Sequence, residues 1–400
     1  MKSDWSIKHL HEVCTFKPAK AEAKATLSET DEVSFAPMDD LGINRKYLEP
    51  SSTRLLADVA GSYTYFANGD VLLAKITPCF ENGKLGIAHN LVNGVGFGSS
   101  EYFVIRPHPE LAAEYLYYFF LQQSFREQGA KSMTGAVGHK RVTKDFLETF
   151  KLPVPPLVEQ HRLIAIFDKA FDSIAKARAN AEKNVQNARE LFESHLQSKL
   201  SKQPGWEGKT LRQVSLDFGR GKSKHRPRND PKLYGGPYPF IQTGDVRGCE
   251  HLITEFTQTY SEAGLAQSKL WPKGTLCITI AANIAETGIL GFDSCFPDSV
   301  IGVVVDPKQT SNSFLEYLLQ SVKASLKAKG KGSAQDNINL ATFENEPFYF
   351  PDLTVQKQIV GQLSDLNAEV QRLESIYQQK LAALDELKQS LLHQAFSGNL

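Results

Sequence analysis

Two stretches of this chain match at a constant offset of 196 residues, and that duplication limits what it can fold into. Pro155-Pro156-Leu157-Val158-Glu159-Gln160-His161-Arg162-Leu163-Ile164 reappears as Pro351-Asp352-Leu353-Thr354-Val355-Gln356-Lys357-Gln358-Ile359-Val360. The offset still holds at Glu190-Leu191 against Glu386-Leu387, and at Ser194 against Ser390. Each copy runs on as a long polar segment without Pro. Leu163, Phe167, Ala170, Ile174, Ala177, Ala181, Ala188 and Leu191 keep a spacing of three or four. So do Ile359, Leu363, Leu366, Val370, Leu373, Tyr377, Leu384, Leu387 and Leu391. Apolar stripes this narrow over roughly four to five heptads predict coiled-coil seams. At 1.5 Å per residue, about 40 residues reach roughly 60 Å. The Pro residues stand where a missing N–H costs nothing, and Pro204-Gly205 ends the first helix. An Ala-rich stripe facing a Leu-rich one makes pairing of the two helices plausible; the bland alternative packs each on its own domain.

The intervening segments repeat too. Trp5, Leu10 and Val13 match Trp206, Leu211 and Val214; Phe35 and Asp40-Leu41 match Phe240 and Asp245-Val246. Gly69-Asp70-Val71-Leu72-Leu73 matches Gly274-Thr275-Leu276-Cys277-Ile278, Gly86 aligns with Gly291, and Tyr115-Leu116 with Tyr317-Leu318. Short β-like runs at 102–105 and 300–305 are each followed by a helical stretch, near 110–128 and 313–329. The expected fold is mixed, α+β: an α/β domain over 1–150, a long helix over 151–203, a similar domain over 204–346 and a second long helix over 347–400. The two helices are expected to form an antiparallel coiled coil.

Lys and Arg (45) balance Asp and Glu (45), so any nucleic-acid surface must be local. Arg220, Lys222, Lys224, Arg226 and Arg228 put five cations into nine residues without an acid, in a loop marked by Gly219, Gly221 and Pro227. Phosphates select such clusters, because neutralising them releases counterions. Lys323, Lys327, Lys329 and Lys331 lead into Gln335, Asn337 and Asn339, residue types that read adenine edges bidentately. In the first domain Lys131, Ser132, Thr134, His139, Lys140 and Arg141 occupy the corresponding stretch. Arg45-Lys46, and Lys75, Thr77, Asn82 and Lys84, fall on other loops. The competing reading of each cluster is an ordinary solvated loop.

Enzyme signatures fail. Gly221-Lys222-Ser223 lacks the earlier glycine of a P-loop, since that position is Leu216. No Gly-rich turn opens a dinucleotide-type fold, and no Asn/Asp-Pro-Pro-aromatic stretch marks a methyltransferase. The five cysteines are scattered without a CxxC pair, which argues against zinc and disulfides. His9 and His11 have no partner ligands nearby. No apolar run reaches 18 residues and no signal-peptide core opens the chain, so a cytoplasmic location is expected.

The order domain–helix–domain–helix resembles the specificity subunit of type I restriction–modification enzymes. Leu152-Pro-Val-Pro-Pro-Leu-x-Glu-Gln160 looks like that family's lead into its central helix, and Gly332-Ser-Ala-Gln335-x-Asn337-Ile338-Asn339 like the stretch before the second. Leu391-Leu392-x-Gln394-Ala395-Phe396-Ser397-Gly398-Asn-Leu400 resembles its C-terminus. Asp352 and Val355 depart from Pro156 and Glu159 of the first copy, and residues 135–142 lack the Gln/Asn pattern of 335–339. The resemblance implies a non-catalytic subunit whose two target recognition domains each read half of a split double-stranded DNA target. The helices would act as a ruler and dock two methyltransferase subunits, joined by restriction–translocase subunits. Glu159, Gln160, Gln356 and Phe396 would be partner contacts. S-adenosylmethionine, ATP and Mg²⁺ would belong to the partners, with no cofactor in this chain. The rival readings are a coiled-coil adaptor and a self-contained methyltransferase or nuclease.

Overall fold

The computed structural model describes residues 5–136, 138–281, 284–330 and 340–400. Two helices of 44 residues, Leu157–Leu200 and Leu353–Phe396, dominate it. The chain divides into two compact units, one of Met1–Glu182 with Gln378–Leu400 and the other of Lys183–Tyr377. The division falls within both helices, so each unit owns the start of one long helix and the end of the other.

Inside each unit the two helix segments run antiparallel. In the first, Arg178 pairs with Asp385 at 2.8 Å and Arg162 donates to the Leu400 carbonyl at 2.9 Å. In the second, Arg189 meets Glu374 at 2.5 Å and Asn184 donates to the Tyr377 hydroxyl at 3.0 Å. Ala181 is buried in the first unit; Val185, Ala188 and Val370 are buried in the second. The helix ends do something else, because they enter the domain cores. Leu163, Phe167, Leu392 and Phe396 join the core of the first unit. Ile359, Leu363, Leu196 and Leu200, each 196 residues away from one of those, join the core of the second. Coiled-coil pairing and packing on a domain therefore both occur, on different lengths of the same helices.

Two expected seam residues are displaced. Leu191 is 61% exposed and Leu387 is 47% exposed. Partly buried Phe192 lies next to the first, and in the second helix the seam position goes to Lys388. Burial lowers the Lys388 ammonium pKa to about 8, with Arg126 and Arg178 adding to the fall and Asp385 opposing it. Its Nζ donates to Asn44 Oδ1 at 2.5 Å and lies 4.9 Å from the Phe171 ring centre. A heptad stripe predicts which face is inward, but a one-residue shift at its end falls inside the 3.5-against-3.6 mismatch.

The sheets repeat in topology as well as in sequence. In the first unit the main sheet places Cys14–Phe16, Tyr102–Pro107, Val71–Ala74 and Leu85–Ile87 side by side. In the second, Ser215–Arg220, Val300–Val305, Leu276–Thr279 and Thr287–Leu290 follow the same order, with Leu252–Ile253 added. Each second sheet contains one parallel pair, Phe35 beside Phe97 and Phe240 beside Cys295, so the Phe35–Phe240 match holds. Ser6–His9 pairs with Lys151–Val154, and Glu207–Lys209 with Phe348–Phe350, tying the beginning of each domain to the strand before its long helix. Gly69 and Gly274 both take left-handed backbone, at φ 89° and 84°, before equivalent strands.

Two sequence matches shift. Gly86 lies opposite Leu72, and the residue opposite Cys277 is Gly288 rather than Gly291. In the helices Ala113–Phe120 and Asn312–Ser321, the counterpart of Tyr317 is Tyr118 rather than Tyr115. The Tyr118 hydroxyl donates to Asp168 and the Tyr317 hydroxyl meets Ser364, and positions 168 and 364 are again 196 apart.

Candidate nucleic-acid interface

The basic loop of the second unit leaves the edge strand Ser215–Arg220 and passes through a cis Arg226-Pro227 bond. Gly221 is needed there, since an added Cβ would meet the Phe296 carbonyl oxygen at 2.2 Å. That close approach fixes where the loop starts. Arg220 Nε donates to the Asp298 carbonyl at 2.7 Å, and Arg228 holds the Asp298 carboxylate at 3.0 and 3.1 Å. Arg226 turns back onto the Ser223 and His225 carbonyls. His225 Nε2 lies 2.8 Å from Asp230 Oδ2. Lys222 and Lys224 are exposed. The loop is thus braced by its own arginines, which stay exposed, while Asp298 offsets the charge of Arg228.

Lys323 and Lys327, on the helix Lys323–Gly330, converge on Glu286 at 2.6 and 3.1 Å. Burial pushes the Glu286 carboxyl up, but the two lysine hydrogen bonds outweigh it and hold the group below its ordinary value. Part of that cluster's charge is therefore cancelled within the domain. Lys329 falls in the last turn of the helix. Lys331, Gln335, Asn337 and Asn339 lie outside the described residues.

In the first unit, Thr134 and Arg141 form a short bridge, and Arg141 bridges onward to Ile76. The Thr77 N–H donates to the Lys140 carbonyl at 2.9 Å. Two regions distant in sequence, 75–77 and 134–141, are thereby joined. Arg141 grips Glu101 with Nη2 at 2.7 Å and Nε at 3.0 and 3.2 Å. Lys131, His139 and Lys140 are exposed. Lys75 Nζ donates to the Ser100 carbonyl at 2.7 Å. Burial lowers its pKa; Glu101 opposes this while Arg141 and Lys17 reinforce it. Thr77 donates to Glu81 at 2.6 Å, and Lys84 to the Met38 carbonyl at 2.9 Å. Asn82 sits in the same turn, its N–H bonded to the Pro78 carbonyl. Arg45 pairs with Glu49, and Lys46 with Asp168 on the long helix at 2.5 Å.

Of the residues expected to meet partner proteins, Gln160, Gln356 and Phe396 are buried within their own units, and Glu159 is partly exposed. Gln160 is fully buried: its Oε1 accepts from the Ala112 N–H at 2.9 Å, and its Nε2 donates to the Glu110 and Pro155 carbonyls at 2.8 Å each. Gln356 repeats this with the Thr310 hydroxyl at 2.9 Å and the Gln309 and Pro351 carbonyls at 3.0 and 2.9 Å. Both are clamps between helix and domain. Phe396 packs among Tyr115, Phe119 and Phe167. Glu159 is paired with Arg162 at 2.7 Å.

Sequence reasoning passed over one polar junction. In the second unit His251 Nδ1 lies 2.7 Å from the buried Glu316 carboxylate, and Asn367 of the long helix approaches its Nε2 at 3.3 Å. The Glu316 bond raises the His251 pKa against burial; burial in turn raises that of Glu316. A lone histidine in a loop carries no periodicity that would announce it. Among the described residues no group of His, Cys, Asp and Glu could hold a metal ion, and no helix is long and apolar enough to cross a membrane.

A family model, the type I restriction modification DNA specificity domain, matches residues 2–183 and 204–381, one span for each half of the repeat. The chain belongs to this family. It is 35% identical over 180 residues to the type I restriction enzyme EcoAI specificity subunit of Escherichia coli, covering 44% of this chain and 31% of that protein. The EcoEI specificity subunit of the same organism is 37% identical over 166 residues, 41% of this chain and 27% of that one. The match thus spans less than a third of either relative. The MjaX specificity subunit of Methanocaldococcus jannaschii (a putative type I restriction enzyme) is 21% identical, covering 83% of this chain and 78% of that one. Among solved structures, a chain from work on complex assembly and conformational transition of the type I R-M system superposes with a TM-score of 0.85 at 19% identity, covering 100% of this chain and 99% of that one. The HsdS subunit from Thermoanaerobacter tengcongensis gives 0.65, also at 19% identity, covering 100% and 98%. These likenesses establish a shared fold.

Proposed function

We propose that this chain is the DNA-reading, non-catalytic subunit of a type I restriction–modification complex. Each unit reads one half of a split double-stranded target. The observation that carries the reading is the duplication: a DNA specificity family model matches both halves, and both halves repeat one sheet order. Lys222 and Lys224 in the second unit, and Lys131, His139 and Lys140 in the first, are among the exposed groups suited to phosphates and groove edges. The exposed faces of the paired helix segments carry two methyltransferase subunits, and restriction–translocase subunits complete the assembly. S-adenosylmethionine, ATP and Mg²⁺ serve those partners, and the assembly works in the cytoplasm. In the test, cells receive the chain with its methyltransferase partner and their genomic DNA is mapped for methylation. A new bipartite methylated sequence that disappears when the chain is omitted supports the reading. Methylation unchanged by the chain would remove it.

A further inference from the structure

The first unit contains a cleft of about 480 Å³ whose lining includes four lysines, Lys17, Lys20, Lys75 and Lys144, and no carboxylate. Tyr63 and Phe103 are among the rings that line it. For a chain with no net charge, such a concentration of one sign in a concave site is unusual, and concave walls focus the field. Two acids outside the lining are each held by an arginine: Glu101 by Arg141, and Glu22 by Arg106 at 2.6 Å. Lys144 is itself exposed and pairs with half-buried Glu148 at 2.6 Å, one turn along its own helix, a pairing of small energetic weight. Lys20 donates to the Ala60 and Gly61 carbonyls, and Lys75 to the Ser100 carbonyl, so both ammoniums are fixed in place by neutral acceptors, and Glu101 offsets part of the Lys75 charge. Lys17 forms no ion pair among the described residues and is exposed.

Its backbone adds a second observation. Lys17 has φ 54°, a left-handed conformation that costs a non-glycine residue roughly 1 kcal/mol. Its N–H bond to the Val104 carbonyl at 2.9 Å holds it there. Strain of this kind collects where a side chain must be aimed. Lys17 follows the strand Cys14–Phe16, whose counterpart Ser215–Arg220 leads into the basic loop of the second unit. The two units therefore put cations at the same topological position, on a cleft in one and on an arginine-braced loop in the other.

We infer that this cleft is the place where the first unit takes backbone phosphates of its DNA half-site, with Lys17 and Lys144 at the exposed rim and Lys20 and Lys75 fixed behind them. The inference rests on the DNA-reading function proposed above. Phosphate esters could reach the cleft from a DNA strand or from a free nucleotide; the proposal is the strand. Its test uses the full chain and a fluorescent duplex carrying the methylated sequence recovered above, with binding followed by anisotropy over a salt series. Lys17→Ala/Lys144→Ala should flatten the log–log salt slope by about 1.8, from roughly 0.9 per phosphate contact. Affinity should fall by on the order of tenfold per contact near 0.1 M salt. Lys17→Arg/Lys144→Arg should keep the wild-type slope, and millimolar dAMP should leave duplex binding unchanged. If the double alanine variant melts early, Lys17→Gln alone carries the test, with a fall of about 0.9. Wild-type binding with an unchanged slope in the variants would overturn this inference and leave the DNA-reading function standing. Competition by dAMP would assign the cleft to free nucleotides instead. A wild-type chain that binds no DNA, alone or assembled with its methyltransferase, would remove both.

Discussion

Replacing Gln160 by Leu tests whether this residue clamps the helix or faces a partner. The substitution keeps most of the side-chain volume and strips three hydrogen bonds: from the Ala112 N–H, and to the Glu110 and Pro155 carbonyls. Only the Pro155 bond is fully buried, so its loss costs about 2 kcal/mol as an unsatisfied buried carbonyl. The other two are partly buried and water can replace them in part, at roughly 0.5–1 kcal/mol each. The sum is about 3–4 kcal/mol, charged to the first unit. Guanidinium unfolding followed by tryptophan fluorescence should show an earlier transition for that unit, with Trp5 in its core as reporter. Gln356→Leu should do the same to the second unit, reported by Trp206 beside its core. A loss below about 1 kcal/mol together with weakened binding of a methyltransferase subunit would refute the clamp and support a partner contact instead.

Alanine at Lys222, Lys224, Arg226 and Arg228 should weaken DNA binding and flatten its salt slope by roughly 0.9 per lost phosphate contact; slopes equal to wild type would mean the loop is merely solvated. His251 has a folded pKa raised by Glu316, so its stabilisation is complete below the unfolded value of about 6.5 and is lost as pH rises through the folded one. Melting of the second unit should fall with rising pH above about 6.5, and a His251→Gln variant that kept the same fall would contradict this. Lys388 has a depressed pKa, so its charge opposes folding below about 8. Lys388→Met should stabilise the first unit by about 1–2 kcal/mol at pH 7, discounted for partial exposure, with the gain shrinking as pH climbs; a destabilised variant would show that the Asn44 bond matters more. Four residues inserted after Asn180 add about 6 Å of helix and should lengthen the spacer between half-sites by about one or two base pairs, read from the methylated motif; an unchanged spacer at full activity would show that this helix does not set it.

Most of the architecture could be read from the sequence because it is written twice. Any one short motif is weak, but Gln160 with Gln356 and Leu163 with Ile359 at one offset are hard to produce otherwise. Function at those positions was less legible. A buried glutamine and an exposed one look alike in a motif, and only the carbonyls of Glu110 and Pro155 reveal the clamp. The matches at Gly86 and Tyr115 slipped because glycines and aromatics are frequent enough to align by chance, whereas cross-strand register admits one partner. Basic clusters showed as runs of charge, but their neutralisation by Asp298 and Glu286 comes from residues tens of positions away. The lysine cleft was harder still, since Lys17, Lys75 and Lys144 meet only after the sheet has formed.

The central claim is that each unit reads its own half of the target. Its most direct measurement is methylation mapping after residues 204–346 are exchanged for those of a relative with a different target. The account predicts a motif in which one half changes and the other half keeps its sequence. A motif altered in both halves, or in neither while methylation persists, would contradict it.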